Sequence, residues 1–135
     1  MAGVDRGPER ALDRAWQVVG WIGVVALVVL CLIPQAPSFT PYEHEDKVQH
    51  ALAYAALMLW FSQLHLTLRA RGATALLLLA LGIGIEFVQG WLGTRMFSPA
   101  DMIADAAGIV LGWLAAPPRG PNLLANFGRM LTDLR

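Results

Sequence analysis

Asp46, His50 and Tyr54 recur every fourth residue and Lys47 stands three before His50, so on a helix they form one polar stripe. Glu86 shares a face with Gln89 and Asp101 shares one with Asp105 by the same rule, and Arg95 lies between the two pairs. These residue types suggest a division of labour. Lys47 and Arg95 could hold a phosphate or carboxylate, and His50 or Glu86 could move a proton. His50, Glu86 and Asp101 are therefore the catalytic candidates, and Asp46, Lys47, Tyr54, Gln89, Arg95 and Asp105 the ligand-binding candidates. A metal held by His44, His50 and the neighbouring acids is a further option, but the spacing fits no recognised ligand motif. No metal ligand set and no cofactor is assigned on the sequence. There is no Gly-rich phosphate loop, nucleophile elbow or multi-cysteine motif.

The elements that must position these groups are apolar to an unusual degree. Of 135 residues, 56% are hydrophobic and 15% charged, against roughly 45–50% and 25% in soluble domains. Four long runs account for the excess: Ala15 to Ile33, Val48 to Leu68, Ala73 to Leu92 and Pro99 to Ala116. Each approaches the roughly 20 residues that cross a hydrocarbon core. The uninterrupted apolar part of the fourth, Ala106 to Ala116, is also short enough for a re-entrant or buried segment. Basic residues alternate with the runs. Arg6, Arg10 and Arg14 precede the first, Arg69 and Arg71 separate the second from the third, and Arg119, Arg129 and Arg135 follow the fourth. Only Lys47 and Arg95 fall on the other side, which puts both termini in the cytoplasm. A soluble bundle would have no reason to sort charge by loop parity. The reading is one domain over residues 1–135: an all-α integral membrane four-helix bundle with a tail over 117–135.

In that frame the polar residues agree in depth. Glu86 lies six residues before Leu92, about 9 Å inside the outer boundary, and Asp101 and Asp105 lie within about 9 Å of Pro99. Three spans thus place carboxylates or a histidine in one outer slab. Charges inside a membrane cost about 2.5–3.5 kcal/mol each on insertion scales, so these groups should face one another or a water-filled pocket. Asp46, Glu86, Asp101 and Asp105 outnumber Lys47 and Arg95 by two charges. Protonated His50, an uncharged Glu86, a bound metal or a cationic ligand would each offset them. Ala104, Gly108 and Gly112 repeat small residues on the face carrying the two aspartates, which favours close helix approach, and Ala80 and Gly84 form a similar notch in the third span.

Outside the spans, an exported loop over 34–47 carries three prolines and then a charged string. The first run reads as an uncleaved anchor: prolines 34 and 37 flank Ala36, and Leu30 is too large to precede a lipidated Cys31. The tail restarts at Asn122, a good cap, with Leu123, Leu124, Phe127, Met130, Leu131 and Leu134 at helical spacing, as in a short helix on the inner membrane face. Trp16, Trp91, Trp113 and Tyr42 suit interfacial anchoring, Trp21 and Trp60 suit packing, and His65 suits the inner boundary. Cys31 stands alone, which excludes a disulfide framework. A formal net charge of zero removes the basic field that draws proteins to nucleic acid, so no nucleic-acid partner is expected.

Asp46, Lys47, His50 and Tyr54 at the start of a span, followed by Glu86, Gln89, Arg95 and Asp101 before a span bearing Gly108 and Gly112, resemble the VanZ-like family of small bacterial membrane proteins. The resemblance covers roughly residues 34–116. Many members have Asn where this chain has Asp105, and here the aspartate adds a negative charge. The family is named for teicoplanin resistance, so the resemblance implies a multi-pass protein of the bacterial inner membrane connected with the cell envelope or glycopeptide antibiotic resistance. It implies no reaction, and whether the chain is an enzyme stays open.

Three functional readings follow. An outward-facing polar pocket could bind or modify a polar head group, such as that of a lipid-linked envelope precursor or a glycopeptide. Intramembrane carboxylates could instead relay protons or ions, with a homo-oligomer completing the path. Alternatively the ion pairs could serve packing alone.

Overall fold

The computed structural model describes residues 7–33, 45–93 and 95–133. The proline-bearing loop with Tyr42 and His44, Arg6, Leu134 and Arg135 lie outside the described residues. Within them the chain is all-helical, without a strand: α1 Gly7–Leu32, α2 Glu45–Ser62, α3 Leu68–Leu92, α4 Pro99–Ala115 and α5 Leu123–Asp133. Two helices, over Arg10–Leu32 and Leu68–Leu92, are long and apolar enough to cross a membrane. The other two expected spans are shorter. α2 and α4 have 18 and 17 residues, about 27 and 26 Å of helix at 1.5 Å per residue.

The helix limits depart from the expected spans where polar side chains intervene. α2 stops at Ser62 instead of running to Leu68, where Arg71 turns back on the chain: Nη2 donates to Ser62 O, at the helix end, at 3.2 Å and Nε to His65 O, in the following turn, at 2.7 Å. Thr67 then caps α3, its hydroxyl accepting from Ala70 N at 3.3 Å, so α3 begins at Leu68 and not Ala73. α1 begins at Gly7, well before Ala15, with Pro8 in the first turn where a missing N–H costs no helical bond. α5 starts where expected: Asn122 Oδ1 accepts from Ala125 N at 2.9 Å, and Leu123 N donates to Gln63 Oε1 at 2.8 Å, tying the helix to the end of α2. Leu124 is buried, while Leu123, Phe127, Met130 and Leu131 remain exposed.

Packing centres on α2. Its Tyr54, Leu57, Met58 and Phe61 meet Leu27 and Cys31 of α1, Leu78 and Ile85 of α3 and Ile109 of α4. α4 lies closest, because Gly108 and Gly112 face the main chain of α2: a Cβ at either would strike the carbonyl oxygen of Ala51 or Ala55. Backbones approach this closely only where side chains are absent. The notch expected at Ala80 and Gly84 does not pack. Ala80 is exposed and a Cβ at Gly84 would meet nothing; Gly82, half a turn away, is the close-packed glycine of α3 instead. At the opposite end of the bundle, Trp16 and Trp60 stack with ring centroids 3.9 Å apart, each indole N–H donating to the other's main-chain carbonyl at 3.1 and 2.9 Å. Trp16, expected as an interfacial anchor, is thus engaged in helix packing.

Polarity is inverted relative to a water-soluble bundle. Glu86, Gln89 and Asp105 are among the largest fully buried side chains, whereas Trp21, Ile22, Val25, Leu76, Leu77 and Phe87 are exposed. Of the apolar windows of α1 and α3, only 17% and 28% are buried within the protein.

Candidate functional site

The start of α2, the end of α3 and the start of α4 share one end of the bundle, and the Gly108 contact fixes the register of α2 against α4. That register sets His50 against Asp105, with Nδ1 and Oδ1 2.9 Å apart and both side chains buried. An ionised carboxylate only accepts, so Nδ1–H donates and Nε2 is the ring nitrogen not engaged by Asp105. One turn outward, Lys47 Nζ lies 3.2 Å from Asp101 Oδ1 and 3.2 Å from Asp46 Oδ2, and Arg95 reaches Asp46 Oδ2 at 3.6 Å.

Glu86 enters from α3. Its Oε2 accepts from Ser98 N at 2.9 Å, while the Ser98 hydroxyl caps α4 by accepting from Asp101 N at 3.3 Å. Ser98 therefore joins the end of α3 to the start of α4. One ligand-capable atom from each of His50, Glu86 and Asp101 lies within 4.8 Å of the other two. Glu86 Oε1, Asp105 Oδ2 and Asp46 Oδ1 have no hydrogen-bond partner among the described residues, nor has the Tyr54 hydroxyl, while Asp101 Oδ1 has the Lys47 ion pair alone. Gly82 makes room for two of them, since a Cβ there would strike Asp105 Oδ2 and stand 3.0 Å from Tyr54 Oη.

At the rim, Lys47 and Arg95 keep 32% and 28% of their side-chain exposure and Asp46 keeps 30%. Burial pushes the Asp46 carboxyl up, but hydrogen bonds from the Lys47 ammonium and amide, with the charges of Lys47 and Arg95, outweigh it and hold the group below its usual range. The hydrogen bond to Asp46 raises Lys47 against the opposing cost of burial, with Asp101 adding to the effect. Both rim cations are thus already engaged by carboxylates.

Of the residues singled out by spacing, Asp46, Lys47, His50, Tyr54, Glu86, Arg95, Asp101 and Asp105 come together. Gln89 does not join them. Its Nε2 donates to Cys31 O at 2.6 Å and pins α3 to the end of α1, a packing role. Ser98 and Gly82 were not anticipated. Ser98 was legible in principle, because Ser, Pro and Asp at 98, 99 and 101 form a helix-start signature. Gly82 carries no such signal, since its close contact is with another helix.

A second polar layer occupies the opposite end of the bundle, where few polar groups were expected. Ser62, Gln63, Arg71 and Thr74 are buried there, and His65 Nδ1 lies 2.8 Å from Thr74 Oγ1. Arg71 and Gln63 serve helix ends, as described above. Successive turns of α2 carry Tyr54, Met58 and Ser62, and those of α3 carry Glu86, Gly82, Leu78 and Thr74. Apolar Leu57, Met58 and Leu78 therefore separate the two layers, which gives no support to a proton path between them. No known family model, curated protein or solved structure matches the chain.

Proposed function

We propose that the chain is a VanZ-like protein of the bacterial inner membrane, crossing it with α1 to α4 and holding α5 on the cytoplasmic face, and that its outward cluster binds the polar head group of a lipid-linked envelope component. The membrane placement rests on the inverted polarity: a bundle with Glu86 and Asp105 inside and Ile22, Leu77 and Phe87 outside is suited to an apolar solvent. The head-group reading rests on one observation. Ionisable groups from three helices converge at a single end of the bundle, where the partly exposed cations Lys47 and Arg95 can meet a phosphate and the unpartnered buried oxygens of Glu86 and Asp105 can accept from head-group hydroxyls; a purely structural network would leave few acceptors unsatisfied. A lipid head group in the outer leaflet reaches that end without crossing the bilayer.

Binding of a polyprenyl phosphate, against diacylglycerol as a neutral control, tests this reading on the purified chain by native mass spectrometry. Preferential retention of the phosphate lipid, reduced in an Arg95→Ala variant of normal folded yield, is expected, because Arg95 is one of the two rim cations. Equal retention of the two lipids refutes it. In cells, Arg95→Ala and Glu86→Gln variants made at normal yield should alter glycopeptide susceptibility; loss of yield without any other effect would mark the cluster as packing.

A further inference from the structure

We infer that His50, Glu86 and Asp101 bind one first-row divalent cation of the Zn2+ or Mn2+ class, with Asp105 positioning the imidazole. One ligand-capable atom from each of the three lies within 4.8 Å of the others. His50, Glu86 and Asp101 are 6%, 1% and 4% exposed, so water offers them little compensation. Two features distinguish the trio from an ordinary acidic cluster. Glu86, with Oε2 committed to Ser98 N, keeps Oε1 without a hydrogen bond among the described residues. His50, with Nδ1 hydrogen-bonded to Asp105, has Nε2 as the ring nitrogen left to ligate. A ligating histidine whose other nitrogen donates to a carboxylate is the usual arrangement around protein-bound metals, because the carboxylate fixes the tautomer and raises the basicity of the ligating nitrogen.

Geometry and charge both permit the ion. Ligands about 2.1 Å from a tetrahedral metal lie roughly 3.4 Å apart, so atoms up to 4.8 Å apart need to close by at most about 1.4 Å, within reach of small side-chain rotations in Glu86 and Asp101. Two carboxylates and a neutral imidazole supply two negative charges, and mixed N and O donors suit Zn2+ or Mn2+ better than Ca2+ or Mg2+, which favour oxygen alone. Lys47 competes for Asp101 Oδ1 at 3.2 Å, but it also lies 3.2 Å from Asp46 Oδ2, so it can yield Asp101 without losing its charge partner. The ion would neutralise a cluster whose acids outnumber Lys47 and Arg95 by two. The site stands on side-chain geometry alone; only its use in holding a phosphate oxygen rests on the head-group reading.

The test uses the full chain purified in detergent, freed of metal and without added lipid. Zn2+ titrated by calorimetry and Mn2+ by electron paramagnetic resonance should each show about one bound equivalent. His50→Gln, Glu86→Gln and Asp101→Asn should weaken binding at least about tenfold and Asp105→Asn by about tenfold or more, whereas Asp13→Asn in α1 should leave it within about twofold. Pulsed resonance of the wild-type Mn2+ complex should show coupling to one imidazole nitrogen, a readout that needs no variant to fold. Less than about a fifth of an equivalent bound, bound Mn2+ without nitrogen coupling, or unchanged affinity in ligand variants of wild-type helical content would each overturn the inference. Metal binding that persists while the lipid test fails would refute the head-group reading alone.

Discussion

Replacing Gly108 by alanine tests how the cluster is assembled. The added Cβ would strike the Ala51 carbonyl oxygen and stand 2.9 and 3.0 Å from the carbonyl carbon and Cα of the same residue. These are backbone atoms, which cannot rotate away. Restoring contacts of about 3.5 Å requires α2 and α4 to separate by roughly 1 Å. Ala51 follows His50, and Gly108 lies one turn beyond Asp105, so the same movement opens the 2.9 Å His50 to Asp105 bond beyond hydrogen-bonding range. Overpacking costs about 1–3 kcal/mol and losing a hydrogen bond to a charged group about 1.5–3 kcal/mol. A loss of about 3–5 kcal/mol is therefore expected in reversible unfolding of the detergent-solubilised protein. Gly84→Ala is the control: nothing lies within 4 Å of its Cβ position, and it should be neutral or stabilise by up to about 1 kcal/mol. If Gly108→Ala falls within about 0.5 kcal/mol of wild type, α2 and α4 do not pack as described, and the placement of His50 against Asp105 fails with it.

Two further outcomes follow from the structure. Trp16→Leu keeps apolar bulk but removes the stack on Trp60 and one indole hydrogen bond, so unfolding should become easier by about 2 kcal/mol; a change below about 0.5 kcal/mol would mean that the pair adds little to the contact between α1 and α2. The rim ion pairs predict a stability plateau in pH. Asp46, held below its ordinary 3.8, contributes above that value and loses its contribution as pH falls through the lowered value. Lys47, raised above its ordinary 10.5, contributes below that value and loses its contribution as pH rises through the raised value. Thermal unfolding of an Asp46→Asn, Lys47→Met double variant should therefore differ from wild type on the plateau and converge with it at both extremes; a constant difference across the range would remove the rim pairs from the explanation.

Much of this architecture is local in origin and legible in the chain. Apolar runs, Ser98 with Pro99 and Asn122 as helix starts, and the spacing of Asp46, His50 and Tyr54 fix helices and the faces they present, because helical periodicity depends only on near neighbours. Length along each helix then places the carboxylates at a common end. Two limits were not visible in hydrophobicity: the turn over 63–67 falls inside an uncharged run, and it forms because Arg71 and Thr67 supply side-chain partners to the ends of α2 and α3.

Partner choice belongs to tertiary structure. Spacing grouped Gln89 with Glu86, yet Gln89 binds the Cys31 carbonyl 58 positions away, and a main-chain acceptor has no residue identity to read. Sequence likewise put Asp101 and Asp105 on one helix face, the first as a catalytic and the second as a ligand-binding candidate, without a partner for either. The close seating of Gly108 and Gly112 on α2 sets Asp105 on His50 and Asp101 on Lys47, because two packed helices have one register and each side chain meets only what that register brings within a few ångströms.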